Sequence, residues 1–194
     1  MDGGPAAFEA FRDLGALLFG LTVLRPDGMV RLTYGPTGRD RANLGGAGGP
    51  TDPLPLNDGR FLRLSVSLYL DPDDERGPLL KVLKSSYQYQ ADQVGKRWIA
   101  RYDYLREPGP DPHPQAHLQI RGALTEGAAL PRNRTLSRIH FPTGRVSIES
   151  VIRLLADQFE VPCIEPSETW RPVLAEAERT FLEIAHRPLS GPAS

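Results

Sequence analysis

Three of the four histidines lie close together in the second half of the chain, at His113, His117 and His140. An imidazole gains and loses a proton near neutral pH, so two of them can serve as base and acid in phosphodiester cleavage. His117 and His140 fall in segments that we predict to be strands, and their rings share one face if those strands pair. Both are therefore candidate catalytic residues, and the alternative is that they are ordinary strand residues.

Arg101 and Asp103 are two residues apart on another predicted strand, so their side chains point the same way. A carboxylate can orient a histidine, and a guanidinium can neutralise the charge of a pentavalent phosphate. We add Arg101 and Asp103 to the candidate catalytic set. The alternative, a plain surface ion pair, stays open at this point.

Charge is distributed unevenly along a chain whose formal net charge is only −1. Residues 96–153 hold ten Lys and Arg against five Asp and Glu, whereas residues 154–194 hold three against seven. A basic central segment can follow a phosphate backbone. The alternative is that these arginines are solvated or pair with the acidic C-terminal segment. The candidate nucleic-acid-binding residues are Arg121, Arg132, Arg134, Arg138 and Arg145.

No metal site or cofactor is predicted. The single cysteine, Cys163, excludes a disulfide framework within the chain and a multi-cysteine zinc or iron–sulfur site. His113 and His117 have the spacing of a helical metal pair, but Pro114 argues against a helix there. The glycine-rich segment 45–49 lacks the preceding strand and following lysine that a phosphate-binding loop requires.

The elements that must position these residues are mostly strands. Residues 60–70 alternate strictly, with leucine or valine at every even position from 62 to 70, which predicts a half-buried antiparallel strand. Similar alternation marks residues 79–90, 97–106 and 116–120, and we expect a hairpin from residues 17–24 and 29–34 after a short helix at 5–15. The tyrosines and tryptophan of segments 79–90 and 97–106 suit cross-strand pairing better than a base-stacking platform.

Two helices follow the strands. Ser147 is a predicted N-cap, and apolar residues then recur at helical spacing through residue 160. A second apolar stripe covers residues 169–186. These elements predict an α+β fold, with a curved antiparallel sheet of five or six strands and helices packed on one face.

The chain is long enough for one domain, which we assign to residues 1–187. Residues 36–58 are rich in glycine and proline and show no clear periodicity, so they are predicted to form a long flexible insertion. Residues 188–194 are predicted to be a disordered tail. No apolar run approaches the roughly 20 residues that cross a membrane, and acidic residues occupy the N-terminus, so we expect a cytoplasmic protein.

The order of short motifs resembles the TumE-like toxins of bacterial and archaeal toxin–antitoxin loci. The motifs are Ser86-Tyr87-Gln88-Tyr89-Gln90, the turn glycine Gly95, Arg101-Tyr102-Asp103, His113 with His117, Arg138-Ile139-His140-Phe141-Pro142, and Ser147-Ile148-Glu149-Ser150-Val151. The resemblance covers roughly residues 17–160. It implies a toxin-like protein of a toxin–antitoxin or defence locus that acts on RNA, with a small antitoxin-like partner. This chain is longer than the pattern and has fewer histidines before the last helices.

Two functions therefore remain open from the sequence. The first is a toxin-like ribonuclease whose histidine, arginine and aspartate side chains surround a phosphate. The second is a non-catalytic module that binds a protein or nucleic acid through its basic loop.

Overall fold

The computed structural model describes residues 3–35, 40–74, 78–107, 114–121 and 141–185. The helices are α1 (Gly3–Leu21), α2 (Ile148–Asp157) and α3 (Ser167–Ala185). The strands are β1 (Arg31–Tyr34), β2 (Arg41–Gly45), β3 (Leu54–Pro55), β4 (Phe61–Asp71), β5 (Leu79–Gln90), β6 (Trp98–Leu105), β7 (Ala116–Ile120) and β8 (Phe141–Pro142). The predicted tail at 188–194 lies outside the described residues.

The strands form one open antiparallel sheet in the order β1-β2-β4-β5-β6-β7-β8, with β3 also pairing with β4. The predicted α+β fold with an antiparallel sheet is therefore confirmed. The described residues form eight strands, which exceeds the five or six expected, because β2 and β3 lie in the segment that was predicted to be a loop.

The hydrophobic core lies between the helices and one side of the sheet. Even-numbered residues 62–68 of β4 are at most 1% exposed, as their alternation predicts. They pack with Phe8, Phe19, Ile152, Leu155 and Leu174 from the three helices. Tyr87 and Tyr89 of β5 lie in the same core, so these aromatic residues are structural.

The prediction of a flexible insertion at 36–58 is wrong for the residues that the structure describes there. Ala42 and Leu44 of β2 are buried against the core, and Leu54 and Leu56 are equally buried. The glycines between them form a tight turn, in which Asp52 N–H donates to the Gly49 carbonyl at 3.1 Å. The alternation of β2 spans too few residues to be recognised among glycines and prolines.

The predicted hairpin of residues 17–24 with 29–34 is also wrong, because α1 continues to Leu21 and β1 pairs with β2 instead. A glycine inside a helix costs about 1 kcal/mol relative to alanine. Burial of Leu18 and Phe19 offsets that cost for Gly15 and Gly20. At Gly15, α1 lies close to β2, and a Cβ there would be in ordinary van der Waals contact with Leu44 Cδ2 at 3.5 Å.

Helices α2 and α3 are joined by a polar contact at the start of α2. Ser147 is the N-cap, as predicted, and its hydroxyl accepts the N–H of Ser150 at 3.0 Å. The Ser150 hydroxyl donates to Glu178 Oε1 of α3 at 2.6 Å, and Arg153 forms an ion pair with the same carboxylate. This contact fixes the first turn of α2 against α3.

A buried ion cluster holds the end of β4 to the start of β5. Lys81 Nζ lies 2.7 Å from Asp71 Oδ2 and 3.0 Å from Asp74 Oδ2, and all three side chains are less than a tenth exposed. Removing one partner from a buried pair leaves an uncompensated charge. Substitution of one member of the cluster therefore destabilises the fold, even though the cluster adds no apolar burial.

We expect Lys81→Met to lower the free energy of unfolding by about 3–5 kcal/mol, because two buried carboxylates lose their cation. Urea denaturation measures the change. Lys84→Met is the matched control, since Lys84 is exposed on the same strand and its loss should change stability by less than about 0.5 kcal/mol. Equal effects of the two substitutions would contradict this account of the cluster.

A second prediction concerns Glu149, whose substitution we expect to stabilise the fold. Burial raises the pKa of this carboxyl above its ordinary value of 4.5, and the nearby Glu178 carboxylate acts in the same sense, while Arg153 and hydrogen bonds from Ser147 and the Glu149 backbone oppose it. A raised pKa means that the contribution of Glu149 to stability is fully present below 4.5 and is lost as the pH rises through the folded-state pKa. Glu149→Gln should therefore raise the melting temperature at pH 7. The gain should disappear at acidic pH, below 4.5. A melting temperature that falls at pH 7 would contradict this.

Candidate functional site

The register of β4–β7 arranges polar side chains in two adjacent rows on the side of the sheet opposite the helices. Pairing across the strands aligns Arg63, Gln88, Arg101 and Gln119 in one row and Ser65, Ser86, Asp103 and His117 in the next. We call these eight residues the polar face. Each is a neighbour in sequence of a residue that points toward the helices, as the pleat requires.

Asp103 is the centre of this face. Its Oδ2 accepts a hydrogen bond from Arg101 Nε at 2.6 Å and lies 3.6 Å from His117 Nε2. Arg101 also donates from its Nη2 to Gln119 Oε1 at 2.6 Å. We call Arg101, Asp103, His117 and Gln119 the Asp103 cluster; it joins two residues of β6 to two of β7.

The position of His117 follows from its cross-strand partner. Asp103 and His117 are directly opposed in the antiparallel pair of β6 and β7. The His117 Nδ1 lies 3.2 Å from the Pro114 carbonyl, so an Nδ1–H can donate to that oxygen. The Nε2 atom then faces the Asp103 carboxylate of the neighbouring strand.

Exposure differs within the cluster in a way that suits a binding site. The side chain of Arg101 is 39% exposed and that of Asp103 is 21% exposed, whereas that of His117 is only 10% exposed. The guanidinium is thus accessible to a ligand from solvent. The imidazole is held more deeply, where its interaction with a carboxylate is less screened.

Arg63, at the far end of the first row, carries an unsatisfied donor. Within the part of the chain that the structure describes, its Nε is a buried polar atom that has no hydrogen-bond partner. Leaving a buried donor unpaired costs about 1–3 kcal/mol. An acceptor supplied by a ligand, such as a phosphate oxygen, would remove that cost.

The structure brings together three of the four candidate catalytic residues: Arg101, Asp103 and His117. His140 lies outside the described residues, although β8, which begins at Phe141, does pair with β7. That pairing supports the premise from which His140 was chosen, but not its position.

The five candidate nucleic-acid-binding arginines do not form one group. Arg132, Arg134 and Arg138 lie outside the described residues. Arg121 is exposed and donates to the Lys96 carbonyl. Arg145 is on the helix side of the sheet, with its guanidinium 4.8 Å from the ring centroid of Tyr104 and 4.7 Å from that of Phe181. Arg145 is thus separated from the Asp103 cluster by the sheet.

Sequence reasoning missed Gln88, Gln119 and Arg63. The two glutamines are 6% and 7% exposed, which is unusual for this residue type, and both belong to the polar face. A signal was present: the opposite parity of the aromatic strands at 79–90 and 97–106 is polar at every position that enters these rows. This polar pattern identifies a shared surface only when the strands are aligned, and the sequence does not specify the register between them.

Among the described residues there is no group of three or more histidine, cysteine, aspartate or glutamate side chains that could hold a metal ion. No helix in the described ranges is long and apolar enough to cross a membrane.

Comparison with known proteins adds no relative. No family model matches the chain, and no match was found among curated proteins or among solved structures.

If the Asp103 cluster exists to bind and react rather than to hold the fold, its charges should be nearly dispensable for stability. Ion pairs this exposed contribute about 0–1 kcal/mol. We expect Arg101→Gln and Asp103→Asn each to change the free energy of unfolding by less than about 1 kcal/mol in urea denaturation. Lys81→Met in the same experiment provides the contrast, and a loss as large as that variant's would mark the cluster as structural.

Proposed function

We propose that this protein is a toxin-like ribonuclease that binds RNA on the polar face and cleaves it at the Asp103 cluster. The observation that carries the proposal is that one carboxylate, Asp103, lies between a guanidinium and an imidazole on the side of the sheet away from the helices. The three groups differ in role: one attracts a phosphate, one transfers a proton and one holds the other two in place.

Charge supports an anionic ligand. Among the described residues on this side of β4–β7, the basic side chains are Arg63, Lys81, Lys84 and Arg101, and the acidic ones are Asp71 and Asp103. Lys81 is neutralised by Asp71 and Asp74, which leaves Arg63, Lys84 and Arg101 against Asp103. Such an excess attracts phosphates and makes the affinity dependent on salt. The amides of Gln88 and Gln119 add groups that can donate to and accept from a base or a ribose.

RNA is favoured over DNA because the proposed chemistry uses the 2′-hydroxyl. His117 Nε2 accepts the 2′-hydroxyl proton as O2′ attacks phosphorus, the P–O5′ bond breaks, and the leaving 5′ oxygen takes a proton from water. The hydroxide that this leaves takes the proton from His117, which restores the base. The products are a 2′,3′-cyclic phosphate and a 5′-hydroxyl end. Arg101 stabilises the added negative charge on the phosphoryl oxygens, and Asp103 stabilises the imidazolium.

Cleavage of RNA would make the protein toxic to the cell that produces it, in keeping with the resemblance to TumE-like toxins. We therefore place its action in the cytoplasm, where RNA is available, and include a small antitoxin-like protein among its expected partners. Expression in a bacterial host should slow growth for the natural sequence and not for His117→Ala. Equal growth of the two cultures would contradict the toxin role.

The direct test uses end-labelled single-stranded RNA and the purified protein. We expect His117→Ala to reduce the cleavage rate by at least about 100-fold, which is the usual contribution of a general base, with unchanged affinity. The same strand with 2′-deoxyribose at every position should bind but not be cleaved. Product ends are identified by their response to a phosphatase before and after acid treatment.

A matched pair of arginine variants separates the site from general attraction. Arg101→Ala should weaken RNA binding and reduce the slope of affinity against salt, whereas Arg171→Ala should not. Arg171 is exposed and pairs with Asp157 near the end of α2, away from the polar face. Equal losses would contradict a localised site, and RNA binding that depends on Arg101 without any cleavage would replace the ribonuclease with a non-catalytic RNA-binding module.

A further inference from the structure

A cavity lies on the other side of the sheet, among the three helices. Its volume is about 640 Å³, and it opens between α1 and α3 and reaches the start of α2. Most of its lining is apolar, contributed by Phe11, Leu14, Leu18, Val173, Ala177 and Phe181. Cavities of 300–1,000 Å³ with such linings are typical of sites for small organic molecules.

The charged groups of this cavity are carboxylates. Glu149, in the first turn of α2, and Glu176 of α3 contribute to the lining, and no lysine or arginine does so among the described residues. Glu176 is exposed and pairs with Arg179 at 2.6 Å. Glu149 differs because it is only 5% exposed.

The surroundings of Glu149 do not neutralise it. The cation that acts on it, Arg153, already forms an ion pair with Glu178, whose own carboxylate repels Glu149. A buried carboxylate without a cation of its own is unfavourable, and groups of this kind cluster at binding sites.

We propose that this cavity binds a small amphipathic amine, with the apolar body between α1 and α3 and the ammonium group against Glu149. An ammonium ion supplies the missing counter-charge and up to three hydrogen-bond donors, while the apolar body fills the hydrophobic lining. A carboxylate ligand would meet a like charge. The raised pKa of Glu149, caused by burial, agrees with a site that gains from a cationic ligand.

This site is independent of the proposed ribonuclease activity. The cavity is formed by the helices, whereas the Asp103 cluster lies across the sheet. Loss of RNA cleavage would therefore leave the ligand proposal intact, and the reverse also holds.

The test compares three probes that share one alkyl chain: octylammonium, octanol and octanoate. Isothermal titration calorimetry on the full chain at pH 7 should show one saturable site, with octylammonium bound about tenfold more tightly than octanol and octanoate bound most weakly. Glu149→Gln should remove the preference for ammonium while retaining octanol binding. Glu176→Gln is the matched control and should keep the preference.

A second variant tests the place of binding without changing charge. Ala177→Phe inserts a ring into the cavity from α3 and should abolish binding of all three probes. Equal affinities for the three probes, or an ammonium preference that survives Glu149→Gln, would overturn the proposal. A dimer in sedimentation that Ala177→Phe dissociates, with no ammonium preference, would assign the cavity to a second copy of the chain and would also overturn it.

Discussion

The register of β5 between β4 and β6 is the constraint on which the rest of the structure depends. β4 and β5 are the longest strands and pair along most of their length, with one irregularity between Ser67 and Leu68. A shift of one residue would move every core side chain of the shifted strand to the opposite side. The same shift would bury the polar face, so the core and the candidate site are set by one alignment. The core supplies the stability that maintains this alignment.

The two sides of the sheet consequently differ in chemistry as well as in position. The side facing the helices holds leucines, valines and tyrosines, together with Arg145 between two aromatic rings. The polar face, on the opposite side, holds two serines, two glutamines, two arginines, an aspartate and a histidine. Two glutamines are buried there, and burial of an amide has to be matched by hydrogen bonds. Gln88 donates to Gln90, and Gln119 accepts from Arg101, so these bonds hold the two amides in place.

The sequence predicts what local spacing determines. The alternation of β4, the N-cap at Ser147 and the stripe of α2 all read correctly, since each depends on residues that are close in the chain. The pairing of Asp103 with Arg101 was also visible, as both lie on one strand. Features that depend on distant residues could not be predicted in this way. β2 has too few alternating positions to be recognised, and α1 continues through two glycines because β2 and the core stabilise it. The opposition of Asp103 and His117 depends on register across a connection, which spacing alone does not fix.

Glu149 places an electrostatic constraint among the helices that is separate from those of the sheet. Its place in the first turn of α2 is favourable, since a carboxylate interacts well with the N-terminal end of a helix dipole. Burial beneath α3 acts against the same charge, and it is the larger effect, because the pKa of the carboxyl is raised overall. An apolar side chain would fill this position without any electrostatic cost. A buried acid whose helix end cannot compensate it, at the edge of an apolar cavity, is the feature from which we propose the amine site.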